Sequence, residues 1–458
     1  MTKFEKKQWL NQLLEHQNVD HIIGQLKEMP TIEVASILKD LPHELIPTYY
    51  HAFSIKQRAY ILADFPEDEQ LLIFHQTEKM TFGEIFEAME SNERMEFYRR
   101  LEPEEQINLL PFLHKEVRME VLELSKYPAE TAGGIMSTDF ATVMEKLTCA
   151  EAIDKVRRDA PSKKMIYYIY AVDQDMRLQG FLTMKDLIMA TPETLVKEVV
   201  HHNYVASEVS DDRELVAQKI EMYDLVALPV VNQFGQLVGI VTHDEAIEVI
   251  RQEQTEDMEK FMGIMPEEDP ENYFDTSTLQ HFKKRVVWIV GLAALGIISG
   301  MIIHRFEDAL EKMIILALYM PMMADTGGNS GSQSATVVIR AMALGQINLK
   351  QWVKVIWKEI KISAMLALLL AILTMAKVLF LSSAANIPEG FSLLEIASVI
   401  ALALGTQVIT SAIIGTGLPL TVKKFGGDPA VVASPAITTI VDITGLLIYF
   451  GMATIFFF

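Results

Sequence analysis

Pro435-Ala-Ile-Thr-Thr-Ile-Val-Asp442-Ile-Thr-Gly-Leu-Leu-Ile-Tyr-Phe450 is an apolar stretch with a single acidic residue at its middle. A helix that crosses a hydrocarbon core about 30 Å thick needs about 20 mostly apolar residues, and this stretch with its flanks suits one. A carboxylate near the bilayer centre costs about 2.5–3.5 kcal/mol even on lenient insertion scales. Asp442 therefore requires a partner, a cation or water. The favoured reading is a cation site in a pore. The alternative is a protonated Asp that makes a helix–helix hydrogen bond.

Working outward from this stretch, five spans are expected, near 286–303, 313–343, 362–381, 394–420 and 430–457. The second is longer than a straight crossing needs and carries Pro321 and Gly327-Gly328-Asn329-Ser330-Gly331, so a kinked or locally unwound helix is expected there. Lys283, Lys284 and Arg285 precede the first span, and Arg340, Lys350, Lys354, Lys358 and Lys361 lie between the second and third. Lys423 and Lys424 separate the fourth from the fifth, whereas the opposite loops hold only Arg305 and Lys312, with Lys377 near the end of the third span. The positive-inside rule then places the N-terminal half in the cytoplasm and the C-terminus outside a plasma membrane.

Charge divides the chain at the same place. Met1–Phe282 carries 27 Lys+Arg against 52 Asp+Glu, a net of −25, and Lys283–Phe458 carries 13 against 9, a net of +4. So acidic a soluble part repels phosphates, which excludes nucleic acid as a partner and favours cations. Cys149 is the only cysteine, so no intrachain disulfide forms, in keeping with a reducing compartment. The first ten residues lack the apolar core of a signal peptide. No nucleophile–base pair, phosphate-binding loop or Cys/His metal spacing points to an enzyme.

The soluble part reads as three pieces. Residues 1–130 form an all-α superhelical domain, in which Pro30, Pro42, Ser54 and Pro66 recur at a spacing of twelve, each before a polar turn and an apolar stripe. Residues 131–255 alternate short strands and helices in two units that echo each other, one ending in Thr183-Met-Lys-Asp186 and the other in Thr242-His-Asp-Glu245. This repeat resembles a tandem pair of CBS domains. The resemblance implies ATP or AMP held by Asp186 and Tyr168, although helix capping also explains Asp186. Residues 256–284 read as a charged connecting, or plug, helix that leads into a five-helix transmembrane domain at 285–458.

Between 208 and 275 there are 18 Asp+Glu against 4 Lys+Arg, among them Asp212, Glu214, Asp224, Glu245, Glu248, Glu253, Glu256 and Asp257. Glu245 with Glu248, and Glu253 with Glu256 and Asp257, fall three or four apart and share a helix face. Like charges so placed destabilise a helix unless something neutralises them. Mg²⁺ takes oxygen ligands through one or two carboxylates and keeps its waters, so cation sensing is favoured over a merely solvated face.

Three motifs carry a resemblance that spans essentially the whole chain. They are Tyr127-Pro-Ala-Glu-Thr-Ala-Gly-Gly-Ile-Met136, Pro321-Met-Met-Ala-Asp-Thr-Gly-Gly-Asn-Ser-Gly-Ser-Gln333 and the run from Gly427 through Asp428 and Ser434 to Asp442. With them the chain resembles the MgtE family of magnesium channels. The resemblance implies a homodimer embedded in membrane lipid, with a pore on the two-fold axis lined by the second and fifth spans. In it Asp442 is the pore carboxylate, Asp428 an acid at the cytoplasmic mouth, and Gly328, Asn329, Ser434 and Thr438 line the path. Glu93 and Glu96 lie near acids that bridge the N-terminal domain to the CBS pair through Mg²⁺. Three residues depart from the family pattern: Ser434 for an expected Asn, Asn92 for an expected acid, and Asp325 as an extra acid.

The expected function is a Mg²⁺-selective import channel, closed when intracellular Mg²⁺ bridges the acidic cytosolic faces, with other divalent cations as possible cargo. The alternative is a divalent-cation secondary transporter coupled to an ion gradient, with Asp442 as a proton relay, although no inverted repeat supports it. A further rival, a non-transporting sensor that reads nucleotide, leaves Asp442 without a role.

Overall fold

Helix-start chemistry sets the N-terminal architecture of this computed structural model, which describes residues 9–11, 13, 19–159, 165–266, 273, 276–382, 387, 390–432 and 434–458. The first helices are α1 (Val19–Glu28), α2 (Thr31–Leu38), α3 (Ile46–Tyr50), α4 (Ile55–Ala63) and α5 (Glu67–Gln76). Next come α6 (Lys79–Ala88), α7 (Ser91–Arg100), α8 (Pro103–Leu109) and α9 (Lys115–Leu124). The N-caps Pro30, Ser54, Pro66, Glu78, Glu90, Glu102 and His114 keep the twelve-residue spacing well past the prolines that announce it. Each repeat has room for two to three helical turns and a short extended link, so the same face is buried each time. Pro30 and Pro66 stand at the N-cap rather than in the first turn, and Pro42 opens a turn, leaving Pro47 to start α3.

The next part holds α10 (Ala132–Ile135), β1 (Phe140–Met144), α11 (Cys149–Asp159), β2 (Met165–Val172), β3 (Leu178–Thr183), α12 (Met184–Met189) and α13 (Val196–Val199). It continues through β4 (Ser207–Glu208), α14 (Arg213–Met222), β5 (Ala227–Val231), β6 (Leu237–Thr242) and α15 (His243–Phe261). Two three-stranded sheets, β1-β2-β3 and β4-β5-β6, each pair their first two strands parallel and their last two antiparallel. The two repeats meet through a small cluster that includes Tyr170, Leu178, Leu237 and Ile240. One continuous core joins the helical array to the second repeat, from Leu13 through Phe97 to Val249.

The chain forms two units, Met1–Arg251 and Gln252–Phe458. The second contains α16 (Thr278–Arg305), α17 (Glu307–Lys312), α18 (Ile315–Ala343), α19 (Trp352–Leu381), α20 (Leu393–Lys424) and α21 (Ser434–Phe457). Thr278–Arg305, Leu349–Leu381, Leu393–Lys424 and Ser434–Phe457 are long and apolar enough to cross a membrane. The helix α18 matches them in length, at 29 residues, but carries Asp325, Asn329, Gln333 and Arg340. It packs against α20 and α21, while α19 packs on α20 and α16 on α21. No residue of α16 is fully buried: Ile302 and Ile303 pack against the core of this unit, while Val287, Ile289, Val290, Ile297 and Met301 are exposed.

Two expectations need correction. The helix α18 runs without interruption through Gly327–Gly331, so this segment is not unwound. Its glycines serve close packing instead. A Cβ at Gly328 would lie 2.7 Å from Thr438 Cγ2, and one at Gly415 would lie 2.0 Å from the Gly331 carbonyl oxygen. Nor do residues 256–284 form a helix of their own. Residues up to Phe261 complete α15, and Ser277 caps the start of α16 with a reciprocal Ser277–Gln280 hydrogen-bond pair. The acids Glu267, Glu268, Asp269, Glu271 and Asp275, counted in the acidic stretch, lie outside the described residues.

Candidate functional site

Asp442 lies on α21, within the apolar run 435–450. Its Oδ1 is buried and has no hydrogen-bond partner among the described residues. Asp325 on α18 is close enough to Asp442 for their charges to interact, which brings the unexpected extra acid into the site. Asn329 Nδ2 donates to Asp325 Oδ1 at 3.3 Å and so holds that carboxylate from within α18.

Toward the start of α21 a hydroxyl cluster spans the two helices. Ser434 Oγ donates to Ser332 Oγ at 3.0 Å, Ser332 Oγ lies 3.4 Å from Thr438 Oγ1, and Thr438 Oγ1 donates to the Ser434 carbonyl at 3.0 Å. Gly328 lies directly against Thr438. Thus Gly328, Ser434 and Thr438 share one contact zone between α18 and α21, whereas Asn329 is exposed and reaches Asp325. Asp428 caps the short turn before α21 by accepting from Ala430 N at 2.9 Å. Its Oδ2 is 2.9 Å from Lys260 Nζ, which also lies 2.6 Å from Glu256 Oε1. Beside this pair, Phe261 packs with Ala335, Ile437 and Val441 at the base of α21.

Sequence reasoning missed Gln407 on α20. It is fully buried, both amide atoms lack a partner among the described residues, and it fits between two glycines. A Cβ at Gly327 would fall 2.2 Å from its Nε2, and one at Gly445 would fall 2.0 Å from the same atom. Ser411, one turn further along α20, is likewise buried and unpaired among the described residues. The available signal was a Gln in an otherwise apolar run, the same kind of anomaly that marks Asp442.

The acids of the soluble part separate into groups. Glu245 accepts from Asn92 Nδ2 at 2.7 Å, so Asn92, a departure from the family pattern, supplies the neutral donor there. Burial, and then the Glu248 charge, push the Glu245 carboxyl up to about 8, against the Asn92 hydrogen bond and with added repulsion from Glu96 and Asp244. Glu96 also accepts from Arg100 at 2.6 Å, and Glu93 lies in the first turn of the same helix, α7. Asp257 is raised to about 6 by burial and then by Asp428, with Lys260 opposing and Glu253 and Glu256 adding repulsion. Burial pulls the Lys260 ammonium down, but its hydrogen bonds to Glu256 and Asp428 outweigh that and hold it above its ordinary value.

Asp212, Glu214 and Asp224 do not join these groups. Asp212 caps α14 through Glu214 N at 2.9 Å, Glu214 accepts from Gln218 at 3.0 Å, and Asp224 takes a left-handed turn conformation with φ 50°. Among the described residues, no three acidic, histidine or cysteine side chains converge on one point. The acids that do interact form two local groups, Glu245 with Glu248, Glu96 and Asp244, and Asp257 with Asp428, Glu253 and Glu256.

Asp186 is committed to its own helix start. Thr183 N and Oγ1 donate to its Oδ2 at 2.8 and 2.7 Å, and His201 Nε2 lies 3.1 Å from the same atom. Burial opposes ionisation, but the Thr183 and His201 hydrogen bonds prevail and lower its pKa. Tyr168 pairs with Thr183 across β2 and β3, and its ring packs edge-on to Phe181 at 5.4 Å. The motif Tyr127–Met136 builds the joint between the helical array and the strand pair. Arg99 donates to the Gly134 and Tyr127 carbonyls at 2.8 and 3.1 Å, and a Cβ at Gly134 would lie 2.2 Å from the Pro128 carbonyl oxygen.

Comparison with known proteins agrees with this arrangement piece by piece. Residues 320–452 match the family model of a divalent cation transporter named MgtE, 29–130 match the MgtE intracellular N domain, and 132–193 and 196–252 match CBS domains. The magnesium transporter MgtE of Thermus thermophilus is 37% identical over 345 residues, 75% of this chain and 74% of that protein. That of Bacillus subtilis is 31% identical over 431 residues, 94% and 93% of the two chains. The solved cytosolic domain of the Mg²⁺ channel MgtE in complex with ATP superposes with a TM-score of 0.50 at 30% identity, covering 52% of this chain and 98% of that one. With these matches along nearly its whole length, the chain is a multidomain membrane protein that belongs to the MgtE family of divalent cation transporters.

Proposed function

We propose that the protein is a homodimeric, Mg²⁺-selective import channel of the plasma membrane, with its acidic N-terminal domains in the cytoplasm, its C-terminus outside, and intracellular Mg²⁺ as its closing signal. One observation carries the pore reading. Asp442 places a buried, unpartnered carboxylate oxygen in a membrane-crossing helix, within reach of a second acid, Asp325. Two acids this close in a membrane-spanning segment are tolerable when a dication neutralises both. A partner subunit would add its own Asp442 to the same ion. Mg²⁺ dehydrates reluctantly, so it passes this point with most of its waters, whose hydrogens the Ser332, Ser434 and Thr438 hydroxyls are placed to receive.

The closing signal acts at the acidic clusters. Glu245 lies against Asn92, and Asp257 against Asp428, so Mg²⁺ bound at either cluster would relieve repulsion in the compact arrangement. Each ion shifts the equilibrium only by its differential affinity for the closed state, so several weak sites must act together. The solved ATP complex of a similar cytosolic domain supports nucleotide binding by the soluble part, for which Tyr168 and Asp186 are the proposed contacts. Currents through the purified protein in a planar bilayer, with internal Mg²⁺ varied, test the proposal. A unitary Mg²⁺ current that internal Mg²⁺ shuts is expected, and uptake that needs a proton or sodium gradient would overturn the channel reading.

A further inference from the structure

Outside the Asp442 site, a cavity of about 170 Å³ opens between α18 and α19. Its polar wall is built from Ser330, Gln333 and Ser334 on one helix and from Glu359 and Ser363 on the other. These positions follow i, i+3, i+4 spacing on α18 and i, i+4 on α19, so two aligned helix faces line one space, completed by Val337, Ile362 and Leu366, with Ser330 Oγ donating to the Val408 carbonyl at 3.4 Å and Ser363 Oγ to the Ile360 carbonyl at 3.1 Å. Glu359 is 8% exposed, and no hydrogen bond or ion pair reaches it among the described residues. Three lysines lie within five residues of it on the same helix, Lys354, Lys358 and Lys361, yet all are exposed and none pairs with it. A buried carboxylate left in this condition is costly unless a cation accompanies it.

We propose that this cleft is a second binding site for a hydrated divalent cation in the membrane unit, with Glu359 as its anionic group and Ser334, Ser363 and Gln333 as acceptors for the ion's waters. The donor set is all oxygen, which suits a hard cation and offers nothing to a soft one. At about 30 Å³ per water, the cavity holds roughly five or six molecules, the room that a Mg²⁺ ion retaining its shell requires. Gln333 is exposed, so the cleft is open on that side. The site gives the cation a station on the α18 face away from α21. The inference rests on the divalent-cation reading above.

The test maps bound metal directly, without measuring transport. Fe²⁺ is used as the Mg²⁺ surrogate on the full chain in lipid nanodiscs, ascorbate and peroxide are added, and backbone cleavage is located by mass spectrometry. Cleavage is expected within 330–334 and 359–363, suppressed by excess Mg²⁺. Glu359→Gln should reduce it roughly tenfold, as for loss of a charged contact, and Asp442→Asn should leave it in place. Ser363→Val, which fills the cleft and keeps the carboxylate, should reduce it as well. Absence of cleavage there while it persists beside Asp442, or equal cleavage in wild type and Glu359→Gln, would overturn this site and leave the pore reading intact. Absence of cleavage beside Asp442 alone would do the reverse.

Discussion

A single carboxylate decides the pore reading, so the first measurements belong to single residues. Asp442→Asn keeps the side-chain shape and removes the charge, and Mg²⁺ flux should fall by orders of magnitude while the protein still folds and dimerises. Unchanged flux would leave the buried Oδ1 as a packing detail. Glu245 supplies a pH test. Its folded value near 8 lies above the ordinary carboxyl value of 4.5, so the folded state holds a proton that the unfolded state releases. The stabilising effect is complete below about 4.5 and is lost as pH rises toward 8. Thermal unfolding of the metal-free protein should therefore show a midpoint that drops across that window. Glu245→Gln should flatten the dependence, and Mg²⁺ should restore stability at the alkaline end. A slope that persists in Glu245→Gln would assign the effect to another group.

At the scale of elements, the three-helix contact of α18, α20 and α21 is governed by glycines that admit neighbours too close for any side chain. Gly328→Val would drive a branched side chain into Thr438, and Gly415→Ala would place a methyl against the Gly331 carbonyl. Overpacking of this kind typically costs about 1–3 kcal/mol. Both variants should lower the unfolding temperature in detergent, and Gly328→Val should also abolish flux because it displaces α18 from the hydroxyl cluster of α21. Normal conduction by Gly328→Val would separate the glycine motif from the ion path. The same contact explains Gln407, whose amide needs the space that Gly327 and Gly445 leave.

For the whole molecule, the question is whether the acids of the soluble part sense the ion or merely face water. Replacing Glu245, Glu248, Glu253 and Glu256 together by Gln removes the repulsion that opens and the ligands that close. At high internal Mg²⁺ the loss of ligands dominates, because there the wild type is held compact by bound ions. The variant should stay open at Mg²⁺ concentrations that shut the wild type, and its cytosolic part should lose Mg²⁺-dependent protection from protease. Selectivity should be unchanged, since Asp442 is intact. Identical closure in variant and wild type would end the sensing proposal.

Local patterns in the chain were enough to separate the acidic soluble part from the apolar spans, to mark Asp442 as anomalous, and to show the Thr183–Asp186 cap and the duplicated strand unit. Each depends on residues near in sequence: a run of apolar side chains, a hydroxyl three residues before an acid, a spacing of twelve. The helix starts at Glu78, Glu90, Glu102 and His114 escaped because those residues, unlike proline, do not stand out as helix boundaries. Glu359 carries no such local mark, standing among Lys354, Lys358 and Lys361 in the sequence. Its burial depends on which face of α19 meets α18. The continuity of α18 through its glycines, the meeting of Asn92 with Glu245, and the division of the acids into two clusters likewise required the tertiary structure. In each case the deciding energy comes from packing and charge between residues far apart in the chain, and such pairings leave no periodic trace in the sequence.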